Sequence, residues 1–178
     1  MKYNRKLFKF NSRQARKLIL GRLGIHWKGD ILLLDNYNGK MLSNRLDKWD
    51  SEHVVPLSLA WRSGFEEQYL LDKKSAMTRM KQFANEERNL IPVAAGSNRS
   101  RGSNSLWNWL PLNTHYIPTR NAIVRSMYAD YGLKLTKTQQ WAMDWSDAKI
   151  LVKYKHGIRM NGVRAWLIDK GLHRILMP

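Results

Sequence analysis

The sequence predicts an α+β fold in which a small β element sits among helices, and three kinds of segment carry that prediction. Short apolar or extended runs at Ile31–Leu34, Val54–Val55 and Asn89–Val93 suit strands. Longer stretches around 76–84, 119–131 and 136–148 repeat apolar residues at the helical period. Between them stand chain-turning residues: Asp35 to Lys40, Pro56, Gly64 and Gly132.

Taken in order, Arg13 to Leu23 sets apolar positions 15, 18, 19 and 23 between basic ones, the pattern of a short basic amphipathic helix. Ile31–Leu34 reads as a buried strand leading into turn chemistry, where Gly39 is able to take positive φ. An extended segment from Trp49 carries Val54 and Val55 and stops at Pro56. Leu57 to Arg62 suits one or two helical turns closed by Gly64. Ser75 is expected to cap a helix whose packing side is Ala76, Met77, Met80, Phe83 and Ala84. Asn89–Val93 is the second strand, and Gly96–Gly102 a polar, basic turn or short helix. Trp107 and Trp109 flank a Leu110-Pro111 stop, and Trp61, Trp109 and Trp145 are assigned to packing. Thr119–Tyr131 is a helix ended by Gly132, and Thr136 with Gln139 forms a capping box ahead of a helix using Trp141, Trp145 and Ala148. Ile150–Tyr154, and Val163 to Leu167 before Gly171, outline two more short helices around a break at Gly157.

The 178 residues suffice for one domain, or one domain with an appended module. No cysteine is present, which excludes a disulfide framework, a thiol nucleophile and a thiolate-held structural zinc. The longest aliphatic run has four residues, too short to span a bilayer, and no apolar run of signal-peptide length follows the N-terminus; an intracellular protein with no membrane partner is expected. Lys and Arg number 31 against 14 Asp and Glu, a formal net charge of +17. Such an excess calls for a polyanionic partner, and nucleic acid is the first candidate.

That charge is unevenly spread. Residues 1–48 hold 12 basic and 3 acidic side chains, residues 49–98 hold 6 and 7, and residues 99–178 hold 13 and 4. A locally anionic centre suits a divalent cation, while cationic flanks suit a phosphate backbone. Glu66, Glu67, Glu86 and Glu87 read as solubilising helix surfaces, which leaves Asp50 and Glu52 as the carboxylates of interest.

These two belong to the run Asp50-Ser51-Glu52-His53-Val54-Val55-Pro56. Asn89-Leu90-Ile91-Pro92 follows 36 residues after His53, and Asn98-Arg99-Ser100-Arg101-Gly102 nine residues after Asn89. The set resembles the HNH endonucleases of the ββα-metal superfamily, in an H-N-N version. The nine-residue step and the Asn-Arg-x-x-Gly continuation are similar to the HNH domain of RNA-guided CRISPR nucleases. Tyr3, Arg5, Phe8, Asp35–Lys40, Ala60-Trp61-Arg62-Ser63-Gly64, Trp109-Leu110-Pro111 and Tyr131-Gly132-Leu133 extend the resemblance over roughly residues 3–135.

The resemblance implies a ββα-metal finger embedded in a mostly helical small protein with basic N- and C-terminal extensions. It implies a nuclease domain at 1–135 with its core near 49–105 and a basic flank at 1–48. It implies a metal-dependent DNA endonuclease leaving 5′ phosphate and 3′ hydroxyl ends, with one Mg²⁺ or Mn²⁺ per site, no structural zinc and no organic cofactor. His53 is then the general base, an imidazole titrating near working pH. Glu52 and Asn98 are the oxygen ligands of the cation. Asn89 completes the catalytic set by holding the loop that bears the base, and Arg99 or Arg101 grips the scissile phosphate. The acidic position is usually Asp in the family and is Glu52 here. Asp50, two residues earlier and on the same side of an extended segment, is the alternative primary ligand. His26, His115, His156 and His173 have no partners at motif spacing and are assigned to surface or packing.

Residues 136–178 form a basic helical extension. Within it Lys149, Lys153, Lys155, Arg159, Arg164, Lys170 and Arg174 offer a DNA grip, either as a helix-turn-helix-like unit reading the major groove or as a hairpin touching phosphates alone. A site-selective, homing-type nuclease of phage or mobile-element kind is the favoured form. The alternatives are a sequence-indifferent defence or degradative nuclease, and a nucleic-acid-binding protein with a vestigial finger.

Overall fold

The computed structural model describes residues 2–22, 32–43, 49–101, 111, 113 and 116–154. Expectations that fall on Trp107, Trp109, the four histidines other than His53, and everything from Lys155 onward lie outside the described residues.

The protein is α+β and mostly helical. A 3-10 turn, Arg5–Phe8, is capped by Asn4, whose side chain accepts from the Lys6 amide, and leads to helix α1, Ser12–Arg22. Strands β1, Leu32–Leu34, and β2, Met41–Ser43, pair antiparallel. The turn between them has Gly39 at φ 73, where any side chain is strained. Strand β2 has no counterpart in the sequence reading.

Strand β3, Trp49–His53, pairs antiparallel with β4, Leu90–Ala94, with Glu52 opposite Ile91 and His53 opposite Leu90. The strand ends at His53, so Val54 and Val55 lie beyond it and are buried in the core. Helix α5, Ala95–Arg101, follows β4 directly and packs on both strands. Pro92 is tolerated in β4 because a two-stranded ladder leaves every second amide unneeded.

The 36-residue connection from β3 to β4 is helical. Helix α2, Leu57–Ala60, is followed by a π-type turn, Trp61–Phe65, and by α3, Glu66–Leu71. Gly64 takes a non-helical φ of 156 inside this run, so the first helical turns end there, as the sequence suggests, and a second helix starts across the kink. Helix α4, Lys73–Asn85, is capped by Asp72, whose side chain accepts from the Ser75 amide; Ser75 itself is three residues inside. Ala76, Met80, Phe83 and Ala84 are buried, on the packing side the helical period marks.

Helix α6, Tyr116–Tyr131, begins three residues before the expected start, with Pro118 in its first turn, and Gly132 ends it at φ 63. Thr136 and Gln139 form the reciprocal capping box at 2.9 and 3.2 Å. Helix α7 then runs unbroken from Lys137 to Tyr154, absorbing the segment 150–154 that reads as a separate helix in the sequence.

Trp61, Phe65, Met80, Phe83, Val93, Val124, Met127 and Met143 share one core, so α7 packs with the body of the protein. Phe65, Phe83 and Tyr131 meet edge to face, with centroids 5.1–6.1 Å apart. A second cluster, Ala15, Ile19, Leu20, Leu42, Trp49 and Leu90, seats α1 against the strands. No helix among the described residues is long and apolar enough to cross a membrane.

Candidate functional site

The end of β3 and the start of β4 are joined by one side chain. Asn89, fully buried in a 3-10 turn (Glu87–Asn89) just before β4, accepts the Val55 amide on Oδ1 at 2.8 Å and donates from Nδ2 to the Phe83 carbonyl at 3.2 Å. Its own carbonyl accepts the Val54 amide at 2.8 Å. Three hydrogen bonds thus fix the backbone leaving His53 against the end of α4.

His53 is 4% exposed. Its Nε2 lies 2.9 Å from the carbonyl oxygen of Ala84. A carbonyl only accepts, so Nε2 carries the hydrogen and Nδ1 keeps a lone pair. Phe10 packs edge-on against the imidazole, with centroids 4.5 Å apart. Burial lowers the ring's pKa from 6.5 to about 4; the Ala84 hydrogen bond opposes this and the nearby Arg5 and Arg101 charges add to it. The imidazole is neutral at physiological pH and, because it is buried, does not titrate near working pH as the sequence leads one to expect.

A cleft of about 450 Å³ opens over this histidine, lined by Tyr3, Arg5, Glu52, His53, Asn98 and Arg99 together with Pro56, Leu57 and Ser58 at the start of α2. Glu52, from the penultimate position of β3, and Asn98, from the middle of α5, therefore share one hollow with His53. Asp50 is not in the lining: it accepts Asn98 Nδ2 at 3.1 Å and lies 3.7 Å from Arg16. That bond orients the Asn98 amide and leaves its oxygen as a donor atom. A larger hollow, about 690 Å³, lies by Arg62, Gly64 and Lys134, and no histidine lines it.

Arg101 requires a correction. The sequence reading puts it beside Arg99 as a phosphate grip, but it is 3% exposed and faces inward. Its Nη1 donates to Glu52 at 2.5 Å, the Tyr37 hydroxyl at 2.9 Å and the His53 carbonyl at 3.1 Å, and the guanidinium lies over the Tyr37 ring. The last turn of α5 points this side chain back under the strands, while Arg99, two residues earlier, is exposed in the cleft lining. Burial raises the Glu52 carboxyl above its ordinary range, and Arg101 pulls it partly back. Glu52 and the Asn98 amide oxygen are both hard donors of the kind Mg²⁺ or Mn²⁺ takes, and the donor set fits such an ion. No cluster of three or more His, Cys, Asp or Glu placed to hold a metal occurs among the described residues.

Three participants escape the sequence reading. Asp35 is fully buried and accepts from the amides of Tyr37 and Ala94 and from the Ser97 hydroxyl, tying the β1–β2 turn to the β4–α5 junction. Tyr37 buttresses Arg101, and burial raises its phenol. Arg5, which enters the sequence reading only as part of a family-like element, brings a guanidinium into the cleft over the Phe10 ring. An Asp-x-Tyr turn announces its own backbone bond, but nothing local announces a partner 59 or 62 residues away.

Of the expected grip on α7, Lys149 is exposed and Lys153 lies in the helix; Lys155, Arg159, Arg164, Lys170 and Arg174 fall outside the described residues. The chain matches no family model, no curated protein and no solved structure.

Proposed function

We propose that this protein is a metal-dependent endonuclease of HNH type that hydrolyses DNA phosphodiesters in the cleft over His53. The observation that carries the reading is the state of that histidine: uncharged, its Nε2–H spent on the Ala84 carbonyl, with Glu52 and Asn98 in the same lining.

A phosphodiester resists hydrolysis because its charge repels nucleophiles, so a site must take a proton from water and stabilise charge on the phosphate. His53 Nδ1 accepts the proton. The Ala84 bond fixes the ring's orientation and tautomer while that happens, and Asn89 keeps the loop still. Glu52 and Asn98 would hold the divalent cation, which would supply Lewis-acid stabilisation of charge on the phosphate. Arg99, exposed in the lining, and Arg5, reaching in from the N-terminal turn, bind phosphate oxygens. Two antiparallel strands followed by a short helix across them support the finger reading, as does the spread of positive charge on either side of the acidic middle segment.

We propose the chemistry and the substrate class alone, because site selectivity of a homing kind would be carried by the C-terminal extension, mostly outside the described residues. The test is incubation of supercoiled plasmid with the full chain in Mg²⁺ or Mn²⁺ and in EDTA. Nicked or linear product with 5′ phosphate ends, formed only with the metal, is expected; intact plasmid under all conditions overturns the reading.

A further inference from the structure

Helix α7 carries a row of side chains that the cleft does not use. Met143 and Ser146 are buried toward the body of the protein. On another side of the helix Trp141 is 54% exposed, an uncommon position for the largest apolar side chain. One helical step on, Trp145 is half-buried and stacks on Trp141, with ring centroids 6.5 Å apart and planes 28° from parallel. A step further, the Lys149 ammonium lies 4.9 Å from the Trp145 ring centroid. Lys137 and Lys153 continue the four-residue spacing at either end. Trp145, which the sequence assigns to packing, is half-buried and backs the exposed Trp141 ring.

The charge around this row is one-sided. The only acidic residues of α7 are Asp144 and Asp147, and both carboxylates are tied to Arg125 of α6 at 2.8 and 3.0 Å. Asp147 also accepts from Asn121. The acids are held against α6, and among the described residues neither is ion-paired with Lys137 or Lys149.

We propose that the Trp141–Trp145–Lys149 row is a binding site for unpaired nucleic-acid strand, with a base stacking on the exposed Trp141 ring and the exposed Lys137 and Lys149 meeting the flanking phosphates. Flat aromatic faces accept any base, and ammonium groups at helical spacing track a backbone; together they select single strand over duplex, whose bases are not free to stack. The row discriminates by pairing state and not by sequence. This site does not require the cleft to be catalytic, so the two readings stand or fall separately.

The experiment is fluorescence anisotropy of the full chain with labelled oligothymidylate of about 16 nucleotides, and with a blunt duplex of the same length, both in EDTA so that nothing is cut. Trp141→Ala is expected to weaken oligothymidylate binding roughly tenfold, Trp141→Phe to stay within about threefold of the parent, and duplex binding to change less than about twofold. Trp141→Leu keeps apolar bulk without a π face, and shows the same loss as Ala if stacking is the cause; it decides the matter should the Ala chain fail to fold. Unchanged oligothymidylate affinity in both variants overturns the proposal. So does an equal loss on duplex, which makes the row a general phosphate contact. A parent protein that self-associates through Trp141, seen as a drop in light-scattering mass on substitution, overturns it in favour of a second copy of the chain.

Discussion

His53 and Ala84 are joined by a 2.9 Å hydrogen bond from the imidazole Nε2 to a carbonyl in the last turns of α4, 31 residues along the chain. The bond decides which nitrogen is protonated, and burial decides that the ring is uncharged. Both matter for stability as well as for chemistry.

The folded ring titrates near 4 and an unfolded one near 6.5, so between those values the unfolded chain binds the extra proton. Stability from this group is complete above pH 6.5 and is lost as pH falls toward 4, by on the order of 3 kcal/mol. His53→Gln removes the titration. Urea melts at pH 7 and pH 4.5 are expected to show a steeper acid loss for the parent than for the variant; parallel losses contradict the buried neutral ring.

Asn89→Ala leaves the Val55 amide and the Phe83 carbonyl without partners in a dry interior. Each orphaned group costs about 1–3 kcal/mol, so thermal unfolding is expected to drop by several degrees at the least. Since the anchored turn carries His53, any activity falls with it. An unchanged melting temperature would show that the turn is held by something else.

Arg101→Met strands the Glu52 carboxylate, the Tyr37 hydroxyl and the His53 carbonyl together. Removing one partner of a buried ion pair costs about 3–5 kcal/mol, and Glu52→Gln added to the same chain is expected to return part of it. Strict additivity of the two changes, measured by denaturant melts, would deny the coupling.

Arg99→Ala touches no buried partner. It is expected to leave the melt within about 0.5 kcal/mol of the parent while weakening DNA binding and lowering the salt slope by roughly one phosphate contact. Salt titrations of parent and variant with parallel slopes would remove Arg99 from the grip.

Much of this architecture is legible in the chain because it rests on local signals. The Thr136–Gln139 box, the helical period of α4 and the turn at Gly39 each involve residues within a few positions of one another. Distant partners decide the rest. Gly64 is a stop, as the sequence reads, but only the tertiary structure shows that a second helix begins directly across the kink. Arg101 looks like a surface cation in a basic run, and only the meeting of Tyr37, Glu52 and the end of β3 gives it a buried place. The two asparagines stand out in the sequence only through the family resemblance, whereas the bond from Asn98 to Asp50, which separates the two candidate carboxylates, belongs to the tertiary structure.

The most direct test measures cleavage and binding side by side for the parent and His53→Ala, with Mg²⁺ for cleavage and EDTA for binding. The account predicts that plasmid cleavage falls by at least about a hundredfold while DNA affinity stays within about tenfold, because a general base acts on the chemical step. Cleavage that survives the substitution, or a parent chain that binds DNA and never cuts it, would contradict the account.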